Sequence, residues 1–573
     1  MYGTGRSGSG PTVEGAAAAV LLGLAVVSLW LWVASGVSQG WRFTAYRPNL
    51  AAGLLLAPGR GGLRLPVGTP GARLIFVVTL TVVAGGTLAV AGLGHRCWRR
   101  WRRPVRRGPL GTAELASGRE LRGLRPRPRA RVPRGDRALA PGPDRVHLGR
   151  HRRWPLLSDP EDHILVLGPT GTGKSSGYAI PAILEWPGPV VVTDPKGELV
   201  AMTLAHRRRL GPAAVFAPLM RPTDRWNPVD GIGAADDALR TAGMLMGRAP
   251  DRDPFWHELA RQLLHGMLLD AACTGATLGE LLHLLQGTPA EDLPDQLVDP
   301  AARHLAQGAL SGGDRTAMGV VATLIAQLGP YGADQVVDAT ACSDFDPGGL
   351  ADGSLATLYC AVTPHDAPLV RGLVSAALAR AWRACYAAPP SPPALFVLDE
   401  FAQLTQLPEL PALVQLGRSQ GVRLLLLAQD LASIRATYGP EVSAALWSNC
   451  RAKLLLAGIS EVELLEQASR LVGTTTFHGP GPEGRRGQPV TSRPLLHPDD
   501  IRRLPERRAL LLHGQRQAAV IRQRRWYQER RLRARVALPR PEAASLRPGV
   551  GRPLLRPVGP RGLAAVDADR RSA

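Results

Sequence analysis

The hydropathy pattern divides the chain before any motif is considered. No charge falls between Glu14 and Arg42, residues 16–37 are strongly apolar, and a second uncharged run covers 74–94. At 1.5 Å per helical residue the second run reaches roughly 30 Å, the thickness of a hydrocarbon core. Trp30, Trp32 and Trp41 gather at one end of the first run, and Trp98 and Trp101 follow the second, at the interfacial depth tryptophan favours. The pattern predicts two membrane-spanning helices, over 15–37 and 74–94, in an anchor covering 1–107. Two buried core helices are the alternative, and the first run also reads as a signal peptide with Ala34-Ser35-Gly36 as its cleavage site. The segment 95–107 holds seven arginines, against five in all of 38–73. Positive charge stays on the cytoplasmic side, so either reading of the first run leaves everything after residue 95 in the cytoplasm.

Residues 108–154 are rich in proline, glycine and arginine without clear periodicity, and read as a basic connector lying near anionic headgroups. Short apolar runs follow at 163–168, 190–193, 355–361, 393–398, 422–428, 453–457, 509–513 and 518–522, each predicting a buried strand. Between the third and second of these lies 231–345, where Leu and Ala recur at helical spacing over 234–246, 255–272, 278–285 and 316–328. Asp253 and Pro254 suit the N-cap and first position of one of these helices. Trp256, Leu259, Leu263 and Leu264 then mark its packed face. Residues 531–573, arginine- and proline-rich with no obvious core, are expected to be disordered.

Composition sharpens this picture at two points. The formal net charge is +22, which points to a polyanionic partner, whether nucleic acid, anionic membrane or both. Of the 69 basic residues only Lys174, Lys196 and Lys453 are lysine, and only Asn49, Asn227 and Asn449 are asparagine. Where arginine has replaced lysine so widely, a surviving lysine marks a place where a guanidinium fork cannot substitute for a compact ammonium. The six cysteines form no CxxC pair, which argues against zinc and a disulfide framework and suits a reducing compartment.

One surviving lysine sits in chemistry. The strand at 163–168 runs into Gly168-Pro169-Thr170-Gly171-Thr172-Gly173-Lys174-Ser175-Ser176 and then a predicted helix through 184. This is a phosphate-binding loop in strand–loop–helix context: glycines let successive N–H groups face phosphate oxygens, and the helix N-terminus adds its dipole. Lys174 is placed for the terminal phosphates of ATP, and the Ser175 hydroxyl for Mg2+. A second acid is needed, and the apolar run ending in Asp399-Glu400 supplies it. Asp399 belongs in the metal's outer shell; Glu400 serves as general base or water-orienter. Gln429 ends the neighbouring strand, either as a γ-phosphate sensor or as an ordinary polar strand end. Arg418 follows a predicted helix over about 401–417, as an arginine finger for a neighbouring subunit or as a cation capping that helix. Asp194-Pro195-Lys196-Gly197-Glu198 forms a sharp turn at the same sheet edge, as ligand site or structural ion pair. Strands and helices alternating around the loop predict an α/β fold: a RecA-like P-loop NTPase sheet built from 155–230 and 346–530, interrupted by the all-α domain 231–345 and preceded by the two-helix transmembrane anchor.

The loop at 168–175, DPKGE at 194–198, Asn227-Pro228, DPFW at 253–256, Asp399-Glu400, GRSQG at 417–421, Gln429 and Asn449 occur in the order seen in type IV secretion coupling proteins, the membrane-anchored ATPases of conjugative DNA transfer. The chain resembles that family over about 150–530. The resemblance implies a cell-membrane ATPase with a cytoplasmic catalytic region, working as a ring, a homo-hexamer, on a relaxase–DNA complex at a type IV secretion channel. It also implies Arg418 as finger, Gln429 as sensor, and a substrate-handling role for the all-α insertion; the arginine excess itself implies sequence-tolerant binding to DNA phosphates. Two other readings compete: a septal-type chromosome or plasmid DNA translocase, and a membrane scaffold whose nucleotide only locks assembly.

Overall fold

A computed structural model of the chain describes residues 111–126, 145–249, 254–352, 354–417, 419–478, 490–539 and 547–548, with scattered positions between 33 and 82. It divides into two units, Met1–Arg107 and Gly108–Ala573. Of the first unit only isolated helical positions, Leu74 and Val82 among them, are described. Among the described residues no helix is long and apolar enough to cross a membrane. The two predicted spans lie almost wholly outside those residues.

The second unit is organised by one eleven-stranded sheet. Its strands are β1 (His147–His151), β2 (Trp154–Leu157), β3 (Ile164–Leu167), β4 (Val190–Asp194) and β5 (Ala213–Phe216). A two-residue β6 (Met220–Arg221) stands apart, paired with β15 (Arg547–Pro548). The sheet resumes with β7 (Thr357–Ala361), β8 (Ala394–Asp399), β9 (Val422–Ala428) and β10 (Ala452–Leu456). β11 (Thr474–His478) and β12 (Val490–Pro494) form a separate hairpin, and β13 (Arg508–His513) and β14 (Ala519–Arg522) complete the sheet.

The strand order is β2-β1-β14-β13-β10-β3-β9-β8-β4-β7-β5. From β10 to β5 every pairing is parallel. Every residue of β3, β4, β7, β8 and β9 is buried, as expected of parallel strands covered on both faces. The other edge is antiparallel: β13 on β10, then β14, β1 and β2. The sheet is therefore mixed, less uniformly parallel than its alternating pattern predicts. The reason is local. The β1–β2 and β13–β14 links are far too short for a crossover helix, so each pair returns as a hairpin.

β1 and β2 begin inside the stretch expected as connector. Leu148, Leu156 and Leu157 are buried there, but the arginines and histidines interleaved with them hide the short apolar pattern. The helices divide between two cores. One core, beneath Tyr178, Ile183, Leu204 and Leu532, covers one sheet face. The other joins Phe396 and Leu426 to the helices of the insertion.

Between β6 and β7 the described chain is helical: Ala235–Met246, Phe255–Thr274, Leu278–Gly287, Leu293–Gln296, Pro300–Leu310, Asp314–Leu328 and Asp334–Ala339. The helix from Leu278 starts with a capping box, in which Thr277 and Glu280 satisfy each other's backbone N–H groups. Pro300–Leu310 escapes the hydropathy pattern because its buried positions are only alanines, Ala302, Ala306 and Ala309. Their small size lets it press against Gly266, where an added Cβ would lie 2.7 Å from the Ala302 carbonyl oxygen. The Asp253 cap falls outside the described residues.

Candidate nucleotide site

β3 delivers the phosphate loop to the carboxyl edge of the sheet. The Gly168 N–H donates to the Ala428 carbonyl at 3.2 Å, extending the β3–β9 pairing by one step. A Cβ on Gly168 would stand 2.7 Å from that of Leu456, so the loop leaves the sheet where only glycine fits. Gly171 and Gly173 adopt φ of +83° and +88°, the left-handed region that L side chains avoid. The Thr172 hydroxyl donates to the Pro169 carbonyl at 2.7 Å and closes the turn. The loop enters a π-helical turn, Ser175–Ala179, continued by the α-helix Ile180–Glu185.

Three strands converge on this loop. Lys174 is buried; its Nζ donates to the Gly168 carbonyl at 2.7 Å and pairs with Glu400 Oε1 at 3.2 Å. The Ser175 hydroxyl donates to Asp399 Oδ2 at 3.0 Å. Both acids come from the end of β8, and the Thr193 hydroxyl of β4 donates to the Asp399 carbonyl at 3.0 Å. Glu400 sits at φ +48°, an uncommon conformation for a residue with a side chain, and a recurrent one where geometry serves function. Its N–H donates to the Leu427 carbonyl at 3.0 Å, which holds the turn against β9.

The electrostatics around Asp399 are unusual. Burial, and then the neighbouring Glu400 charge, raise its carboxyl to about 7, against the hydrogen bond from Ser175. Its Oδ1 is buried without a hydrogen-bond partner. An orphaned carboxylate oxygen beside a serine hydroxyl is a hard, all-oxygen donor set that fits Mg2+. The cleft here offers about 270 Å3 and is lined by the loop, by Asp194, Lys196 and Glu198, and by Asp399 and Glu400.

The turn after β4 lies at the cleft, as its place at the ligand-binding edge of the sheet predicts, and its first acid also has a structural task. Asp194 is buried and accepts from the N–H groups of Lys196, at 3.1 Å, and Val200, at 2.8 Å. It fastens the start of the helix Glu198–Arg207, and burial raises its carboxyl to about 6. Gln429 follows Ala428 at the end of β9, between β3 and β8, half-buried. Arg418 lies outside the described residues.

Arg525, which the sequence does not single out, grips the loop from behind. Its guanidinium donates to the Ser176 hydroxyl at 2.9 Å and the Thr172 carbonyl at 2.8 Å, and the residue is buried. Next to it, Arg524 bridges Glu185 and Glu529 and fixes the segment after β14 to the helix that follows the loop. In so arginine-rich a chain, one more arginine carries no signal.

The sequence profile of the type IV secretory system conjugative DNA transfer family matches residues 139–548, well over half of the chain. The chain belongs to this family. Within it, the conjugal transfer protein TraG of Rhizobium radiobacter is 24% identical over 414 residues, covering 66% of this chain and 64% of TraG. Protein VirD4 of Agrobacterium fabrum is 25% identical over 431 residues, covering 69% and 64%. The chain spans about three fifths of the length of the first of these curated relatives. The plasmid coupling protein TrwB, solved with ADP and Mg2+, superposes with a TM-score of 0.57 at 21% identity, over 74% of this chain and 95% of TrwB. That likeness extends to the α/β fold and its mixed central sheet.

Proposed function

We propose that the chain is a membrane-anchored ATP hydrolase that couples turnover to the recruitment and transfer of DNA, as a relaxase–DNA complex, through a type IV secretion channel. One observation carries this reading. Lys174 and Ser175, adjacent in the loop, each meet one of the adjacent acids Glu400 and Asp399 inside a single cleft. The loop from Gly168 to Ser176 binds the phosphates through its N–H groups, and Lys174 adds the point charge on the terminal ones. Glu400 orients the attacking water and takes its proton. Ser175 and Asp399 are the residues that would hold Mg2+, which when bound neutralises charge building on the phosphates. Gln429 and Arg418 complete the set as sensor and as finger from the next subunit of a homo-hexameric ring.

Beyond Gly171 and Thr172 a second cleft of about 530 Å3 opens, bordered by Gly458, Gln523, Arg525 and Tyr527. It gives the nucleotide's base a place beside its phosphates. The two apolar runs before residue 95 anchor the protein in the cell membrane, with the catalytic region in the cytoplasm. Family membership favours conjugative transfer over a septal-type translocase. The complete set of polar groups in the cleft favours turnover over a nucleotide-locked scaffold.

The test is ATP hydrolysis by the full chain with Mg2+. Lys174→Ala is expected to lose turnover, and Glu400→Gln to retain ATP while hydrolysing it at least 100-fold more slowly. Wild-type rates in either variant would overturn the assignment.

A further inference from the structure

Two residues made conspicuous by scarcity, Asn449 and Lys453, have no part in the nucleotide site. Both border one pocket of about 390 Å3, together with Ser448, Arg451, His513 and Arg516. The local fold explains the convergence. Arg451 and Lys453 flank Ala452 at the start of β10, and alternation along a strand puts them on one side. The neighbouring strand β13 is antiparallel, with Ala452 opposite His513, so the turn carrying Arg516 closes the far wall. Gly514, at φ +53°, brings its N–H to the Arg451 carbonyl at 3.0 Å.

The pocket is cationic and, among the described residues, no carboxylate lines it. Arg516 is held by Asp159 at 3.0 Å, and His513 by Asp162 at 2.9 Å, both from outside the lining. Lys453 is half-buried and donates to the Cys450 carbonyl at 2.7 Å, with its ammonium 5.5 Å from the Trp447 ring. A cation capping the helix Pro440–Asn449 would account for that one bond. An ammonium has three donors, however, and burial lowers the Lys453 pKa, opposed by the neighbouring Cys450 thiol. Capping also leaves Arg451 unexplained, since that residue is exposed at the pocket mouth.

We propose that this pocket binds the phosphodiester backbone of the transferred nucleic acid. The proposal rests on the DNA-transfer reading above and gives that reading a location. Cations two residues apart on a strand stand roughly 7 Å apart, a span that lets Arg451 and Lys453 meet successive phosphates of one strand. The exposed amide of Asn449 and hydroxyl of Ser448 add neutral donors for phosphate oxygens, and a contact confined to the backbone is independent of sequence. The pocket sits at the opposite end of the β10–β3 pair from the nucleotide. Ala452 is level with Ile164, and the phosphate loop begins at Gly168, roughly 13 Å further along the strand. DNA at this end and ATP at the other would therefore load the same two strands.

The experiment uses the full chain, Arg451→Gln, and the double variant Arg451→Gln/Lys453→Gln. Binding to unrelated single- and double-stranded oligonucleotides is measured from low to physiological salt, beside basal ATPase without DNA. The double variant is expected to bind about tenfold more weakly and to lower the slope of log affinity against log salt by about 1.5, the share of two phosphate contacts. The exposed Arg451→Gln change alone should remove about half of that slope difference, with basal ATPase unchanged in both. Wild-type binding with variants indistinguishable from it would overturn the pocket and leave the transfer reading standing. A wild-type chain without affinity for any oligonucleotide would overturn both. Arg451- and Lys453-dependent binding to phosphatidylglycerol vesicles, with oligonucleotide binding untouched, would reassign the pocket to a membrane surface.

Discussion

The guanidinium of Arg525 fills the space that any side chain at Gly173 would need: a Cβ built there would lie 1.0 Å from an Arg525 nitrogen. The glycine before Lys174 thus answers to two demands, a left-handed φ of +88° and the approach of an arginine from the far end of the domain. The loop is held by a residue some 350 positions away in the chain.

This relationship predicts a coupled pair of effects. Arg525→Ala leaves the Thr172 carbonyl and Ser176 hydroxyl without their donor, at a cost of about 1–3 kcal/mol. ATP affinity should fall about tenfold, because the loop loses its fixed shape. Gly173→Ala should be worse, through both the clash and the backbone strain. In the double variant the clash is gone and the strain remains, so the two effects should add to less than their sum. Calorimetric ATP binding with thermal unfolding of all three variants checks this; strict additivity would show that the residues do not act through each other.

Asp194 predicts a pH dependence. Its folded pKa of about 6 lies above the ordinary value of 3.8, chiefly through burial. Between these values the folded state keeps a proton that the unfolded state has lost. Stability from this group therefore declines as pH rises from about 4 to about 6 and is flat above. His206, which burial lowers to about 4, acts in the opposite sense: the stability it contributes is present above its ordinary pKa and is lost as pH falls. The contribution of Asp194 is isolated by comparison with Asp194→Asn. The difference in unfolding free energy between wild type and variant should shift in the variant's favour across pH 4–6. A pH-independent difference would refute the assignment.

How much of this was readable in the sequence depends on how each residue is held. The phosphate loop and Asp399-Glu400 sit at the ends of fully buried parallel strands, where long apolar runs leave an unmistakable trace. The partnerships Lys174–Glu400 and Ser175–Asp399 needed only the strand order to be realised. β1, by contrast, is a short strand one place in from the sheet's edge, written largely in histidine and arginine. Arg525 was illegible for a related reason: its role comes from a long-range contact, and its residue type is the commonest kind of charge in the chain. Asp194 was legible as an acid at the sheet edge but not as a fastening for backbone N–H groups, because that role depends on how tightly the turn to Glu198 folds.

The Ser175–Asp399 pair predicts a metal-specific defect. Ser175→Ala removes both the hydroxyl ligand and the hydrogen bond that opposes the rise in the Asp399 pKa. ATPase activity should then need about tenfold more Mg2+ for half-maximal rate, while nucleotide binding measured in EDTA changes little. Ser175→Thr, which keeps the hydroxyl, should restore most of the Mg2+ response. Equal Mg2+ requirements in Ser175→Ala and wild type would remove Ser175 from the metal site.

The last prediction concerns assembly. The helix Leu410–Leu416 ends just before Arg418, and β9 starts four residues after it, running between β3 and β8 towards Gln429. If the working form is a ring, Arg418 of one subunit stabilises the charge developing on the phosphates in the next, an effect of about 10³–10⁵ in rate for known arginine fingers. Lys174→Ala and Arg418→Ala proteins, each inactive alone, should then regain partial ATPase activity when mixed. A mixed ring holds some sites in which an intact loop faces an intact arginine. If Arg418 only caps its helix, Arg418→Ala should keep most of its turnover and lose stability instead, and mixing should add nothing. The two mechanisms separate in one titration, because complementation peaks at intermediate mixing ratios whereas a capping defect varies linearly with the fraction of variant.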